Sequence, residues 1–283
     1  MKKVKKPVWI AILIVSIAVL VAGAIFLINY FKPPVEDSLK RSDLTEAATA
    51  SPAETTATQA PTEPATERPT MNHYGQKTAK EPEDWSGLSF DELMKKNPDI
   101  YAWLYIPGTN VDYPVCQSSD GNDDFYLDHN IYGDYQFSGT IYSQSMNSRD
   151  FDDPVTVLYG HNMLNGSMFA SLHNFEDEEF FKKYNTAFVF TKDKLLTYLI
   201  YSAYTYDDRH ILNSFHMEFE NIFLNYIDTT LNPRTYDGIV REGVTPDKDS
   251  RILTLSTCTN GASNTRYLVQ GVLVDVQSRE PFN

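Results

Sequence analysis

The sequence predicts a mainly β domain, a small barrel with helical decorations, carried on a stalk behind an N-terminal membrane helix. Three observations lead there. About eight short apolar runs separated by turn signals fill residues 100–276, the pattern of a small antiparallel barrel or sandwich. An apolar run near the N-terminus lacks any charge, and an abrupt change of composition separates the two.

Taken in chain order, residues 1–7 contain Lys2, Lys3, Lys5 and Lys6 and read as a cytoplasmic tail. Residues 8–28 have no charge and only Ser16 as a polar side chain, so a helix rising ~1.5 Å per residue would span roughly the ~30 Å hydrocarbon core. Residues 8–31 are therefore expected to be a single-pass signal anchor. The lysines ahead of it put the N-terminus in the cytoplasm and the rest of the chain outside the cell membrane. Ala22-Gly23-Ala24 resembles a cleavage site, but the apolar Ile25-Phe26-Leu27-Ile28 after it favours the anchor. Residues 32–84 are rich in Ala, Thr, Pro and Glu, with little to bury, and read as a disordered stalk. The folded domain is then residues 85–283, long enough for one substantial core.

Within that domain the expected strands are 101–106, which runs into Pro107-Gly108, then 111–115, 138–142, 155–158, 187–190, 195–204, 252–256 and 267–276. Ser89 to Lys96 has the pattern of a short helix. A longer one is expected over 214–231, where Phe215, Phe219, Ile222, Phe223 and Tyr226 recur at helical spacing. No internal repeat is visible.

Charge and cysteine content narrow the function. The chain has 24 Lys+Arg against 38 Asp+Glu, a net charge of -14, which argues against nucleic-acid binding because phosphate affinity comes mainly from Lys and Arg. Its two cysteines, Cys116 and Cys258, exclude a disulfide framework or a four-thiolate zinc centre. No metal or cofactor is expected.

Cys258 ends an apolar strand, Gly261 and Asn264 form a turn, and Arg266 starts the next strand. In a symmetric hairpin Cys258 opposes Arg266, with Cβ atoms ~4.5 to 5.5 Å apart, and Ser256 opposes Leu268 on the same face. Leu253, Leu255, Val269 and Leu273 then form the core face. A thiol at a strand end beside a guanidinium has the electropositive, partly exposed setting that favours the thiolate. Cys116 reads as a small core residue. Such a nucleophile needs a proton carrier, usually histidine. Of the six histidines only His161 is delivered by a buried strand, 155–158, through a glycine to a strand end; His129, His173, His210 and His216 read as surface or capping groups.

Leu158-Tyr-Gly-His161-Asn-Met, Leu253-Thr-Leu-Ser-Thr-Cys258 and Arg266-Tyr-Leu-Val-Gln-Gly together resemble the sortases, cysteine transpeptidases of Gram-positive bacteria. The segments 97–115, 125–129 and 160–169 are similar to class B sortases, as is a long helix ahead of the cysteine strand. The resemblance implies an eight-stranded barrel with Cys258 as nucleophile, His161 as general acid and base, and Arg266 as stabiliser of substrate and oxyanion, the three meeting at one mouth of the barrel. It further implies attack on the carbonyl of a Thr in the C-terminal sorting signal of a secreted protein, and transfer of the thioacyl group to an amine of a wall precursor or pilin. Leu127, Ile211 and Ser256 fall where similar enzymes line the sorting-signal groove, and residues 202–212 correspond to the loop leading into the added helix. Thr259 stands where some relatives carry an acid. A papain-like peptidase places its cysteine before its histidine, and an L,D-transpeptidase carries a Ser-His-Gly-Cys motif that is absent here. An extracellular Cys/His peptidase and a non-catalytic stalked binding module remain the alternatives.

Overall fold

A computed structural model describes residues 13, 15–17, 19–21, 23, 72–82, 88–261 and 264–279. The chain divides into two units, residues 1–37 and 38–283. In the first unit the described positions are helical, and among the described residues no helix is long and apolar enough to cross a membrane. The cytoplasmic tail, most of the expected anchor, stalk residues 32–71 and the expected domain start at Trp85 lie outside the described residues.

The second unit is built on nine strands among the described residues: β1 (Ile100–Tyr105), β2 (Asp112–Cys116), β3 (Ile141–Tyr142), β4 (Val155–Tyr159), β5 (Thr186–Phe190), β6 (Lys194–Asp207), β7 (Ile239–Val240), β8 (Ile252–Cys258) and β9 (Thr265–Ser278). Their order is β5-β1-β2-β3-β4-β8-β9-β6-β7. An added β5–β6 pairing closes eight of them into a barrel, with β7 appended to β6. Closure leaves those eight strands without open edges. The expected strands are all present, although 138–142 shortens to β3. β7 was not foreseen, since two half-buried residues give no periodicity to read.

Among the described residues four helices decorate the barrel: α1 (Phe90–Lys96), α2 (Glu178–Lys183), α3 (Ile211–Ser214) and α4 (Glu220–Leu231). α1 starts where expected, with Ser89 accepting a hydrogen bond from Glu92 N at its N-cap, acids in its first turn and lysines in its last. The single helix expected over 214–231 is corrected to α3 and α4. The chain turns extended at Phe215, which caps α3 and meets Tyr226 edge-on at 5.2 Å between centroids. The break buries Met217 and leaves Phe219 exposed, so the apolar stripe that suggested one continuous helix does not share one face. α4 buries Phe223, Tyr226, Ile227 and Thr230, an i, i+3, i+4, i+7 stripe. Its Tyr226 hydroxyl pairs with Thr254 Oγ1 at 2.8 Å and donates to Gln270 Oε1 at 3.3 Å, tying the helix to β8 and β9.

Alternation along β8 separates two buried faces. Leu253 and Leu255 join Val269, Leu158 and Phe169 inside the barrel. Ile252 packs instead with Phe223, Tyr226, Ile227 and Leu268, under α4 on the outer face. Each large side chain fully buried this way contributes about 1.5–3 kcal/mol relative to exposure.

The end of the expected stalk departs from a free coil. Residues 72–76 form a turn, Asn185 Nδ2 donates to Lys77 O at 2.7 Å, and Ala79 N donates to Thr186 Oγ1 at 2.8 Å. Tyr74 packs on the cluster beneath α4, and burial, its largest influence, raises its hydroxyl pKa. Contacts with the folded domain thus reach back to Tyr74, ahead of the boundary at 85.

Candidate active site

The hairpin has the register that the sequence implied: Cys258 is opposite Arg266 and Ser256 opposite Leu268. The face is the expected one as well, with Leu253, Leu255 and Val269 in the core and Cys258 on the opposite side. Cys258 alternates with Leu255 and Leu253, so it belongs to the outer side of the barrel, beyond the end of the α4 contact, and not to the barrel interior. Its side is that of Thr254, which bonds Tyr226 of α4.

His161 reaches the same place because β4 and β8 run parallel and in register, from Val155↔Ile252 to Tyr159↔Ser256. Gly160 makes the step possible. A Cβ there would come within 2.5 Å of Ile141 Cδ1 and 2.8 Å of the Phe169 ring, so the chain lies against the barrel too closely for a larger residue. The loop that follows folds back, with Phe169 N donating to His161 O at 2.9 Å and Asn162 bridging to Met168. Met168 takes φ 55°, a left-handed conformation costly for a residue with a side chain, and its N–H is held by the Tyr113 hydroxyl at 3.1 Å.

Two contacts orient the His161 ring. Nε2 lies 2.8 Å from Leu127 O, and a carbonyl only accepts, so this nitrogen carries the proton and Nδ1 is left for proton exchange. The Phe137 ring stacks on the imidazole at 5.6 Å between centroids and 22° between planes. Leu127 itself ends a short 3-10 turn, Phe125–Leu127, with Gly139 packed against its carbonyl at φ +57°. Phe137 carried no sequence signal, because an exposed aromatic in a loop has no period to mark it.

His161, Cys258 and Arg266 line one cleft of about 250 Å³. Leu127, Ile211 and Ser256 line it too, so every residue singled out from the sequence is brought together there. Leu127 is exposed, whereas Ile211 and Ser256 are buried. The structure adds Tyr142, Tyr159, Asp124, Asp208 and His210 to the walls. Burial pushes the Tyr142 and Tyr159 hydroxyls above the ordinary tyrosine value, so both remain neutral at working pH. His210 caps α3, accepting from Asn213 N at 3.2 Å, and pairs with Gln144 through its Nε2. Among the described residues no cluster of His, Cys, Asp and Glu is placed to hold a metal ion.

A thiol opposite a guanidinium, with an oriented imidazole in the same open cleft, is the set of groups that cysteine acyl transfer requires. Known proteins agree. A family model for the sortase domain matches residues 104–274, and the chain belongs to the sortase family. Sortase B of Listeria monocytogenes is 34% identical over 189 residues, covering 65% of this chain and 73% of the relative. Sortase B of Clostridium perfringens superposes with a TM-score of 0.58 at 33% identity, over 66% of this chain and all of that one. A Staphylococcus aureus sortase B–substrate complex superposes at 0.57 with 26% identity, over 66% of this chain and 84% of that one. Within the family the chain is a class B sortase, a cysteine transpeptidase on an eight-stranded barrel.

Proposed function

We propose that this transpeptidase is anchored by residues 8–31 in the cell membrane with its barrel outside, and that Cys258 attacks the carbonyl of a Thr in the C-terminal sorting signal of a secreted protein. The observation that carries the reading is the pairing of Cys258 with Arg266 in a cleft that also contains His161. In the first step the Cys258 thiol proton passes to His161 Nδ1 as the sulfur bonds to the Thr carbonyl carbon, and Arg266 donates to the oxygen as it gains charge. The C–N bond then breaks as His161 gives a proton from Nδ1 to the departing amine, leaving a thioacyl enzyme. In the second step an amine of a wall precursor or pilin attacks that carbonyl, His161 takes its proton at Nδ1, and the C–S bond breaks as that proton passes to the sulfur and restores the thiol.

Leu127, Ile211 and Ser256 would contact the sorting signal. The Staphylococcus aureus relative, described as a sortase B–substrate complex, supports substrate binding by this barrel. The uncharged run 8–28 and the lysines before it support the anchor, and the Ala/Thr/Pro/Glu-rich residues up to 71 would serve as its spacer.

The test is a peptide library with a fixed internal Thr, incubated with and without hydroxylamine. A thioacyl enzyme gives Thr hydroxamate and faster release of the C-terminal fragment, and Cys258→Ala gives neither. Hydrolysis that hydroxylamine and other amines leave unchanged would favour the Cys/His peptidase, and no cleavage at all would favour a binding module.

A further inference from the structure

The main chain of Cys258 is gripped from behind by groups with no place in the steps above. Its carbonyl accepts from Asn162 Nδ2 at 3.0 Å and lies 3.0 Å from His173 Nε2. Nε2 of His173 also lies 3.1 Å from Asn162 Nδ2, so the imidazole, the amide and the carbonyl form one cluster. His173 comes from the 3-10 segment Ala170–Glu176, and its ring is fixed on its other sides. Nδ1 meets Glu176 Oε1 at 2.5 Å, and the ring stacks on the buried Tyr267 ring at 4.9 Å. Its side chain is only 10% exposed. Asn162 Nδ2 also reaches Asn260 Oδ1 at 2.9 Å, so its amide holds the chain on both sides of Thr259.

Asn162 directly follows His161. The chain segment that presents the imidazole therefore also holds the residue bearing the thiol, through one side-chain amide and one main-chain carbonyl.

We propose that Asn162 and His173, with Glu176 orienting the latter, are positioning residues that fix the end of β8 so that the Cys258 thiol stays beside Arg266 and within reach of His161. The proposal rests on Cys258 being the nucleophile. Releasing the carbonyl frees the strand end, and the thiol moves away from Arg266 and from the imidazole that exchanges its proton, so it reacts more slowly. The other charged or titratable groups around the thiol are Tyr159 and His161 from β4 and its end, Tyr142 from β3, Tyr206 from β6, and Asp124, Asp208, Arg209 and His210 from the flanking segments. The substitutions leave all of these in place.

The experiment measures iodoacetamide alkylation of Cys258 by intact mass from pH 5 to 10, in a Cys116→Ala background. His173→Phe keeps a ring on Tyr267 but has no polar atom, whereas His173→Gln returns a polar amide near the position of Nε2. The expected result for His173→Phe is an alkylation rate at pH 7 about 10-fold lower. His173→Gln stays within about threefold of the parent, so the loss follows the polar group and not the ring. Should His173→Phe fail to fold, Asn162→Asp, which turns a donor into an acceptor facing the carbonyl, is expected to give the same loss of rate. Profiles for these variants that match a fast-reacting parent would overturn the positioning role, as would a His173→Gln enzyme as defective as His173→Phe. A parent thiol that is slow at every pH would instead sink the reading of Cys258 as nucleophile, and the proposal with it.

Discussion

Two thiols end two strands of this barrel, and their surroundings oppose each other. Cys116 closes β2 and is fully buried among Trp103, Tyr126, Phe188 and Leu195. Burial, with the nearby Asp99 carboxylate adding to it, pushes its thiol well above the ordinary cysteine value. Cys258 closes β8 but faces outward into a cleft, opposite a guanidinium and in the company of an imidazole. Residue type, strand position and barrel face are shared, since Cys116 alternates with the interior Val115 as Cys258 does with Leu255; what differs is what lies over that face, an apolar cluster on Cys116 and an open cleft with a guanidinium across from Cys258.

The largest expected contrast comes from histidine. His161→Ala is expected to lower kcat for thioacyl formation about 10²- to 10⁴-fold, the usual contribution of a positioned acid and base. Stopped-flow release of a fluorogenic Thr peptide's C-terminal fragment measures it, and a loss under threefold would mean another group carries the proton. Arg266→Ala is expected to cost about 10²- to 10³-fold, with lysine at that position recovering only part, since an ammonium cannot present the planar donors of a guanidinium. Equal rates for the lysine variant and the parent would reduce Arg266 to a simple charge.

Smaller effects sharpen the other side of the contrast. Cys116→Ser places a hydroxyl in an apolar site and should destabilise the fold by about 1–3 kcal/mol, read by urea unfolding, while leaving turnover per folded molecule unchanged. The Cys116 thiol also gives stability a pH slope. Its pKa is raised in the folded state, so the folded chain keeps the proton that the unfolded chain loses above about 9. Its contribution is complete below that value and declines as pH rises beyond it. Comparing the parent with Cys116→Ala from pH 8 to 10 should show the parent losing thermal stability more steeply, and parallel slopes would contradict the assignment.

The sequence carried most of the site because the site is local to strand ends. Arg266 follows Cys258 closely enough for the turn at Gly261 to imply their pairing, and Gly160 marks the step by which β4 hands over His161. Other parts depend on contacts no spacing encodes. Phe137 on His161 and His173 behind Cys258 meet their partners across long separations in the chain, and His173 was read as a surface or capping group. The helix break at Phe215 was hidden because Phe219 keeps helical spacing although Met217 is the residue that packs. The docking of residues 74–79 was hidden by the low-complexity sequence before it.

The most direct test of the account is to trap the thioacyl enzyme with a Thr-containing sorting peptide and map the modified residue by mass spectrometry. The account predicts a single thioester on Cys258, absent in Cys258→Ala and retained in Cys116→Ala. An adduct on Cys116, or one that survives in Cys258→Ala, would contradict it.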